Sequence, residues 1–437
     1  MVGALGTDGR AEDLSEGRAW EALAGPEWLR ARRAAAAERA AGRTMPTSAS
    51  EEWRYSRIDE LERSFTPLVP RGEASAGTPS AAESFLAGVG DVLGVVTTCN
   101  GRVGEVTLGD VDGIEVTVDS REEDGRSPGD SLLAEVSPDV FADLNEMYSP
   151  DPLTMRVTRR FDGAPPLVVV HWVDADGAMV CPRLEVVAED GSSLDLVEVE
   201  LSRDCEALVV PRTGVRVGSG ASVRHVRLQD LGGRVWRIGG FVADVGEGGE
   251  LQSAQATLGG IYARSRADCR MTGPSSNARL VAAYLVSSGQ MHDFRVFQEH
   301  RAPRSTSDLF FSGVIGGGGR AVYTGLVHIG REARGADAFQ TNRNLKLGPD
   351  AWAESVPNLK IEQNDVRCSH ASATGPVDED ALFYLESKGL PPARAKRLIA
   401  RGFLADAISR FPIAAVAESV RSKIESVLEA TLAVEVD

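Results

Sequence analysis

Long apolar runs, export signals and paired cysteines are all missing from this sequence, and each absence narrows what the chain can be. No apolar run approaches the roughly 20 residues that a membrane-crossing helix needs. The opening stretch MVGALGTDGRAEDLSEG is polar and acidic, without the basic segment and apolar core of an export signal. An Arg/Ala-rich stretch at Leu29–Arg43 is interrupted by Glu38 and reads as a surface helix, not a transit peptide. A soluble, cytoplasmic chain is expected. The five cysteines, Cys99, Cys181, Cys205, Cys269 and Cys368, are odd in number and never form C-x-x-C. A disulfide framework and a self-contained zinc ribbon are therefore not expected, and a reducing compartment fits.

Positive charge is also in short supply. The 47 basic and 64 acidic side chains leave a net charge of −17, and the arginines are scattered, so neither nucleic acid nor an anionic membrane is expected as the main partner. Short catalytic motifs fail on their own chemistry. GRSPG at Gly125–Gly129 has the outline of a nucleophile elbow around Ser127. The next residue is Pro128, which has no N–H to act as oxyanion donor. IGGGGRA at Ile315–Ala321 lacks the Lys-Ser/Thr of a phosphate loop, and GSGASV at Gly218 has Val223 where a dinucleotide fingerprint needs glycine. Both read as strand corners, so no nucleotide hydrolysis by this chain is expected. The histidines are His171, His225, His292, His300, His328 and His370, and none falls in an H-E-x-x-H pattern. Satisfied core or surface histidines are the plainer reading for most of them. His292 and His300 are eight residues apart and would share one face of a continuous strand.

What is present is a long β-rich middle. The first ~65 residues read as helical, including EEWRYSRIDELERSF from Glu51, where Trp53, Ile58 and Leu61 would share a face. Pro67–Ser84 reads as a linker, and a helix is expected around Ala134–Tyr148. From Pro166, short runs such as LVVVHWV, DLVEVEL and SVRHVRLQ follow one another with glycine corners. VGSGASV at Val217 and VGEGGEL at Val245 repeat after roughly 28 residues, which favours a solenoid over a sandwich or barrel. The expected divisions are a helical region at 1–66, a mixed segment at 67–165, a β-helix core at 166–377 and a helical domain at 378–437. In that last region Asp378 should cap a helix that Gly389 ends. Pro391 and Pro392 should open a second helix, and Val416, Val420, Ile424, Val427 and Thr431 should mark a third.

Cys368 and His370 carry the sharpest chemical suggestion. VRCSHASA reads as extended, so both side chains project from one face. A thiolate beside an imidazole suits iron or a nascent cluster, but two ligands are too few for a stable tetrahedral site. On the residues alone, a buried cysteine beside a capping histidine is the plainer reading of the pair.

The run PNLKIEQNDVRCSHASATGPVDEDALFYLESKGLPPARAKRLIARGFLADAI, Pro357–Ile408, resembles the C-terminal signature of the SufB/SufD family of iron–sulfur cluster assembly proteins. GREARGADAFQTNRNLKLGPDAWAESVPNL is similar to the stretch before that signature, and EEWRYSRIDEL to the tryptophan motif of SufD members. The likeness covers Glu51–Phe65 and about Gln290–Phe411. The C-S-H element, in place of the E-H-E type of SufB members, points to the SufD branch. The resemblance implies a mainly β protein: a right-handed parallel β-helix core with helical N-terminal and C-terminal regions. It implies a non-catalytic scaffold subunit that pairs with a SufB-type subunit and docks a SufC-type ATPase, and it leaves a homodimer of the isolated chain open. Within the helical tail, Phe383, Tyr384, Leu398, Phe403 and Leu404 are the partner-binding candidates. Cys368 and His370 become a shared cluster-assembly site completed by the SufB-type subunit. No stably bound cofactor is implied, only transient iron or an iron–sulfur cluster. A β-helix carbohydrate-active enzyme and a stand-alone metal-binding protein are the alternatives.

Overall fold

The computed structural model describes residues 18–61, 65–67, 80–109, 111–123, 131–287 and 289–434. Its centre is a parallel β-helix of eight coils, each contributing one strand to each of two sheets. The first sheet runs from Leu153–Val157 through Tyr262–Met271 to Trp352–Ile361, and the second from Leu167–Val173 through Asn277–Val286 to Arg367–Pro376. Neighbouring coils pair in unbroken register, as in Asn277↔Thr306↔Asp337↔Arg367.

One corner explains the repeat. At six successive turns from the first sheet to the second, one residue takes a left-handed backbone: Gly191, Gly220, Gly248, Ser275, Arg304 and Gly335, with φ between 56° and 72°. Each donates its N–H to the corner of the next coil, as Gly220 does to Glu247 O and Gly248 to Pro274 O. Glycine adopts this conformation without steric cost, so the corners show in the sequence as a glycine beat. GSGASV is such a corner, with Gly220 at positive φ, and IGGGGRA is the opposite kind, leading from the second sheet back to the first with Gly318 at positive φ; a strand follows each. GRSPG lies outside the described residues.

The two ends of the tube differ. At the N-terminal end Arg102–Leu108 and Ile114–Val118 pair antiparallel with Gly94–Cys99 and Leu153–Val157. At the other end Arg367–Pro376 pairs with Asp337–Lys346 and, among the described residues, with nothing on its far side.

Helices cover the outside of both sheets. Pro392–Ile408, Ala414–Val434 and Ser80–Val89 pack on the second sheet, burying Leu404, Ala407, Val416, Val420 and Ile424 against Val197, Val199, Val226 and Val281. Each such leucine, valine or isoleucine side chain contributes about 1.5–3 kcal/mol through burial. On the first sheet, Glu27–Ala41 and Val140–Tyr148 join Trp53, Ile58 and Leu61 over Ile238, Tyr262 and Met291. Residues 51–61 are not one helix: they make two short 3-10 turns, Glu51–Trp53 and Ile58–Glu60, and residues 62–64 of the expected stretch lie outside the described residues. Trp53, Ile58 and Leu61 still pack in one cluster. The expected helix at Ala134–Tyr148 divides into Leu132–Glu135 and Val140–Tyr148, each capped by the residue before it, Ser131 and Asp139.

The tail follows its caps. Asp378 accepts from the N–H groups of Asp380 and Ala381, opening Glu379–Ser387. Gly389, at φ 88°, ends that helix, and Pro392 begins the next.

Candidate functional site

Cys368 and His370 lie on the terminal strand, opposite Ala338 and Gln340 of the preceding coil. Parallel partners point to the same side of a sheet. Ala338 belongs to the apolar interior and Cys368 packs against that interior, so positions 368, 370, 372 and 374 face into the tube. Thr374 confirms the orientation, accepting from Asn344 Nδ2 at 3.2 Å. Because no further coil follows, Cys368 is half-buried and His370 is exposed at the mouth. The expected strand and shared face are both present. The pair projects inward to an open end, not outward to a surface groove.

Burial pushes the Cys368 thiol pKa up, and the nearby Asp337 carboxylate adds to the shift. Cys368 is therefore a neutral thiol near pH 7. It becomes a good ligand only when a cation displaces its proton. Among the described residues, no three His, Cys, Asp or Glu side chains gather into a metal-holding group.

Behind the pair stands a polar layer that motif reading missed. Gln340, Asn342 and Asn344 point inward at alternate positions of one strand. Asn342 Nδ2 donates to the Tyr284 hydroxyl at 3.0 Å, and that hydroxyl donates to Asn344 Oδ1 at 2.6 Å. The signal was present as a period-2 polar run, Q-x-N-x-N, in register with C-x-H-x-S-x-T.

Deeper inside lies a second polar group. The Glu198 carboxylate accepts from Arg227 Nη2 at 2.7 Å and Thr213 Oγ1 at 2.8 Å, and lies 2.7 Å from His225 Nε2. Burial alone would raise its pKa, but Arg227 and the hydrogen bonds from His171 and His225 outweigh that and hold it well below the usual range. Every partner is internal, so the cluster is a structural tie. His292 and His300 share the inward face of Met291–His300, as their spacing predicts.

The partner-binding candidates separate into two groups. Phe383, Tyr384 and Leu398 are exposed at 72%, 60% and 47%. Phe403 is partly buried, with the Arg343 guanidinium 5.1 Å from its ring centroid. Leu404 is fully buried under the helix and holds it to the second sheet.

Fold and site together define a helix-clad parallel β-helix with a thiol–imidazole pair at its open terminal coil. Residues 171–403 match the family model described as SUF system FeS cluster assembly, SufBD core domain. The chain belongs to this SufBD family of iron–sulfur cluster assembly proteins. It is 34% identical over 223 residues to an iron–sulfur cluster assembly SufBD family protein of Mycobacterium tuberculosis, a match covering 49% of this chain and 56% of that protein. The match thus spans little more than half the length of that relative. Similarity to the iron–sulfur cluster assembly protein SufD of Escherichia coli runs longer, at 25% identity over 374 residues, 83% of this chain and 84% of that protein. A SufBD family protein of Staphylococcus haemolyticus is 23% identical over 365 residues, 81% of this chain and 75% of the relative.

Proposed function

We propose that this chain is the SufD-type scaffold subunit of a cytoplasmic cluster-assembly complex, without catalytic chemistry of its own. It pairs with a SufB-type subunit at the open terminal coil and docks a SufC-type ATPase on its C-terminal helices. Iron or a nascent cluster is cargo, held briefly by Cys368 and His370 together with ligands from the SufB-type partner.

The observation that carries this reading is the coincidence of an unpaired strand edge with the Cys368–His370 pair. An open edge offers a row of unpaired N–H and C=O groups that another strand can take up. Only there would a partner both extend the sheet and reach the thiol and imidazole. The raised thiol pKa supports the same division of labour: alone, Cys368 is neutral and idle, and a cation supplied at the interface would ionise it. Exposed Phe383, Tyr384 and Leu398 support a docking surface on the tail.

Coexpression with SufB-type and SufC-type partners tests the proposal. The wild-type chain should copurify with both. Cys368→Ser and His370→Ala should assemble the same complex with reduced cluster yield. A chain indifferent to both partners would remove the scaffold reading. Normal yield in both variants would remove the half-site while leaving the scaffold intact.

A further inference from the structure

Gln340 is 1% exposed and stands opposite His370 in the last ladder, one strand spacing of about 4.8 Å away. Its Nε2 donates to Asn358 O at 3.0 Å, and its Oε1 accepts from the Tyr323 hydroxyl at 3.1 Å. A backbone carbonyl can only accept, so the nitrogen must face Asn358 and the amide can be placed one way only. Asn358 and Tyr323 belong to the opposite sheet, on the last two coils. The amide is thus tied across the tube at the level of the half-site.

Space for this tie is built into the backbone. A Cβ on Gly325 would stand 2.2 Å from Gln340 Oε1 and 2.6 Å from the Tyr323 hydroxyl oxygen. The device recurs beside it: a Cβ on Gly313 would strike the Tyr284 ring, whose hydroxyl bonds Asn342 and Asn344. Glycine inside a strand gives up packing, and buried amides are tolerated only when satisfied. An apolar interior would have needed neither. The layer is placed where the tube stops being covered.

We infer that Gln340, locked by Tyr323 and Asn358, is a positioning residue for His370. In register one strand further in, its fixed amide would limit the room for the imidazole from inside and favour the rotamer turned to the mouth beside Cys368. This rests on the reading of Cys368 and His370 as a half-site. Second-layer residues that fix a ligating histidine influence binding by roughly 10-fold or more without touching the cargo.

The test reads the His370 ring by NMR in the full chain, with the signal assigned from its loss in His370→Ala. Wild type should show one ordered ring environment. Tyr323→Phe, which removes only a hydroxyl, should broaden or shift it. Gln340→Glu is the discriminating variant. Its carboxylate sets an oxygen against Asn358 O and should release the ring at neutral pH. Mild acidification, which restores an O–H donor at nearly the same shape, should bring its signal back to that of wild type at the same pH. In the coexpressed complex, Gln340→Glu should lower cluster yield roughly 10-fold and add nothing on a His370→Ala background. An unchanged ring signal in both Tyr323→Phe and Gln340→Glu would overturn the inference. Normal yield in His370→Ala would instead overturn the half-site reading, and the ring signal would then decide the positioning role alone.

Discussion

The Arg264 guanidinium lies 3.8 Å from the ring centroid of Trp53 while its Nη1 donates to Asp293 Oδ2 at 2.7 Å. Arg264 Nη2 also donates to Glu52 O, and Arg295 Nη2 to Arg54 O, so the β-helix wall grips the backbone on both sides of the tryptophan. This accounts for the tryptophan segment physically: it is a plug on the first sheet, not a helix. Trp53→Ala should cost about 3–5 kcal/mol and loosen residues 51–61 first. Trp53→Phe should recover part of the loss, because an aromatic face over a buried guanidinium is retained. Denaturant melts with hydrogen exchange would check this; equal losses in both variants would exclude the stacking contribution.

Acid should weaken the fold before most carboxylates are protonated. Burial lowers the pKa of His292 and of His300 to about 4, from an ordinary value near 6.5. Between those values the unfolded chain takes up a proton on each ring that the folded chain refuses. Stability is therefore full above about pH 6.5 and falls as the pH drops toward 4, by about 3 kcal/mol per histidine across the whole window. Buried His225 shifts in the same direction. The urea midpoint should fall steeply between pH 7 and 4.5 in wild type and less steeply in His300→Gln. An identical slope in the variant would show that other groups govern acid sensitivity.

The coil repeat and the tail were legible because both use residues with a backbone meaning: glycine at left-handed corners, Asp378 and Gly389 at helix ends. Corners at Ser275 and Arg304 take the same conformation without glycine, so the beat fades there. The direction of the alternation was not legible. In DLVEVEL and SVRHVRLQ the valines 197, 199 and 226 face outward under the terminal helices, while Glu198, Glu200, His225 and Arg227 fill the tube. A period of two fixes which residues share a face, and where both faces are covered it cannot say which face is inside. The same ambiguity hid the Gln340 layer. Cys368 and His370 were found because their spacing is local, whereas the polar floor behind them comes from strands a full coil away.

The buried Glu198 cluster should be unforgiving. Glu198→Ala leaves Arg227 its 2.7 Å bond to Thr213 Oγ1 but, for its charge, only the 3.4 Å contact to Glu200, a carboxylate already engaged by Arg237. Removing one partner of a buried pair typically costs 3–5 kcal/mol. Glu198→Gln should cost less, since the amide oxygen still accepts from Arg227 or Thr213. If Glu198→Ala melts like wild type, the network is not holding the coils together.

The glycine at 313 gives a prediction with an internal control. A Cβ there would come within 1.8 Å of the Tyr284 ring, so Gly313→Ala must displace a buried tyrosine and break its bonds to Asn342 and Asn344. Overpacking of this kind costs about 1–3 kcal/mol. Tyr284→Ala removes the obstacle, so the double variant should lose less than the sum of the singles, by at least about 1 kcal/mol. Additive losses would mean the glycine is there for some other reason.

Leu404 and Phe383 should separate folding from docking. Leu404 is fully buried between its helix and the second sheet, and Leu404→Ala should cost about 2–5 kcal/mol whether or not a partner is present. Phe383, at 72% exposed, has little to lose in the isolated chain, so Phe383→Ala should change the melt by less than about 0.5 kcal/mol. If the tail docks an ATPase, Phe383→Ala and Tyr384→Ala should weaken copurification with it, because a large exposed aromatic gains its burial only on binding. Leu404→Ala should affect copurification only in proportion to the protein it unfolds. Full ATPase recovery with both aromatics removed would take the docking surface off this face of the tail and leave Leu404 as a purely structural residue.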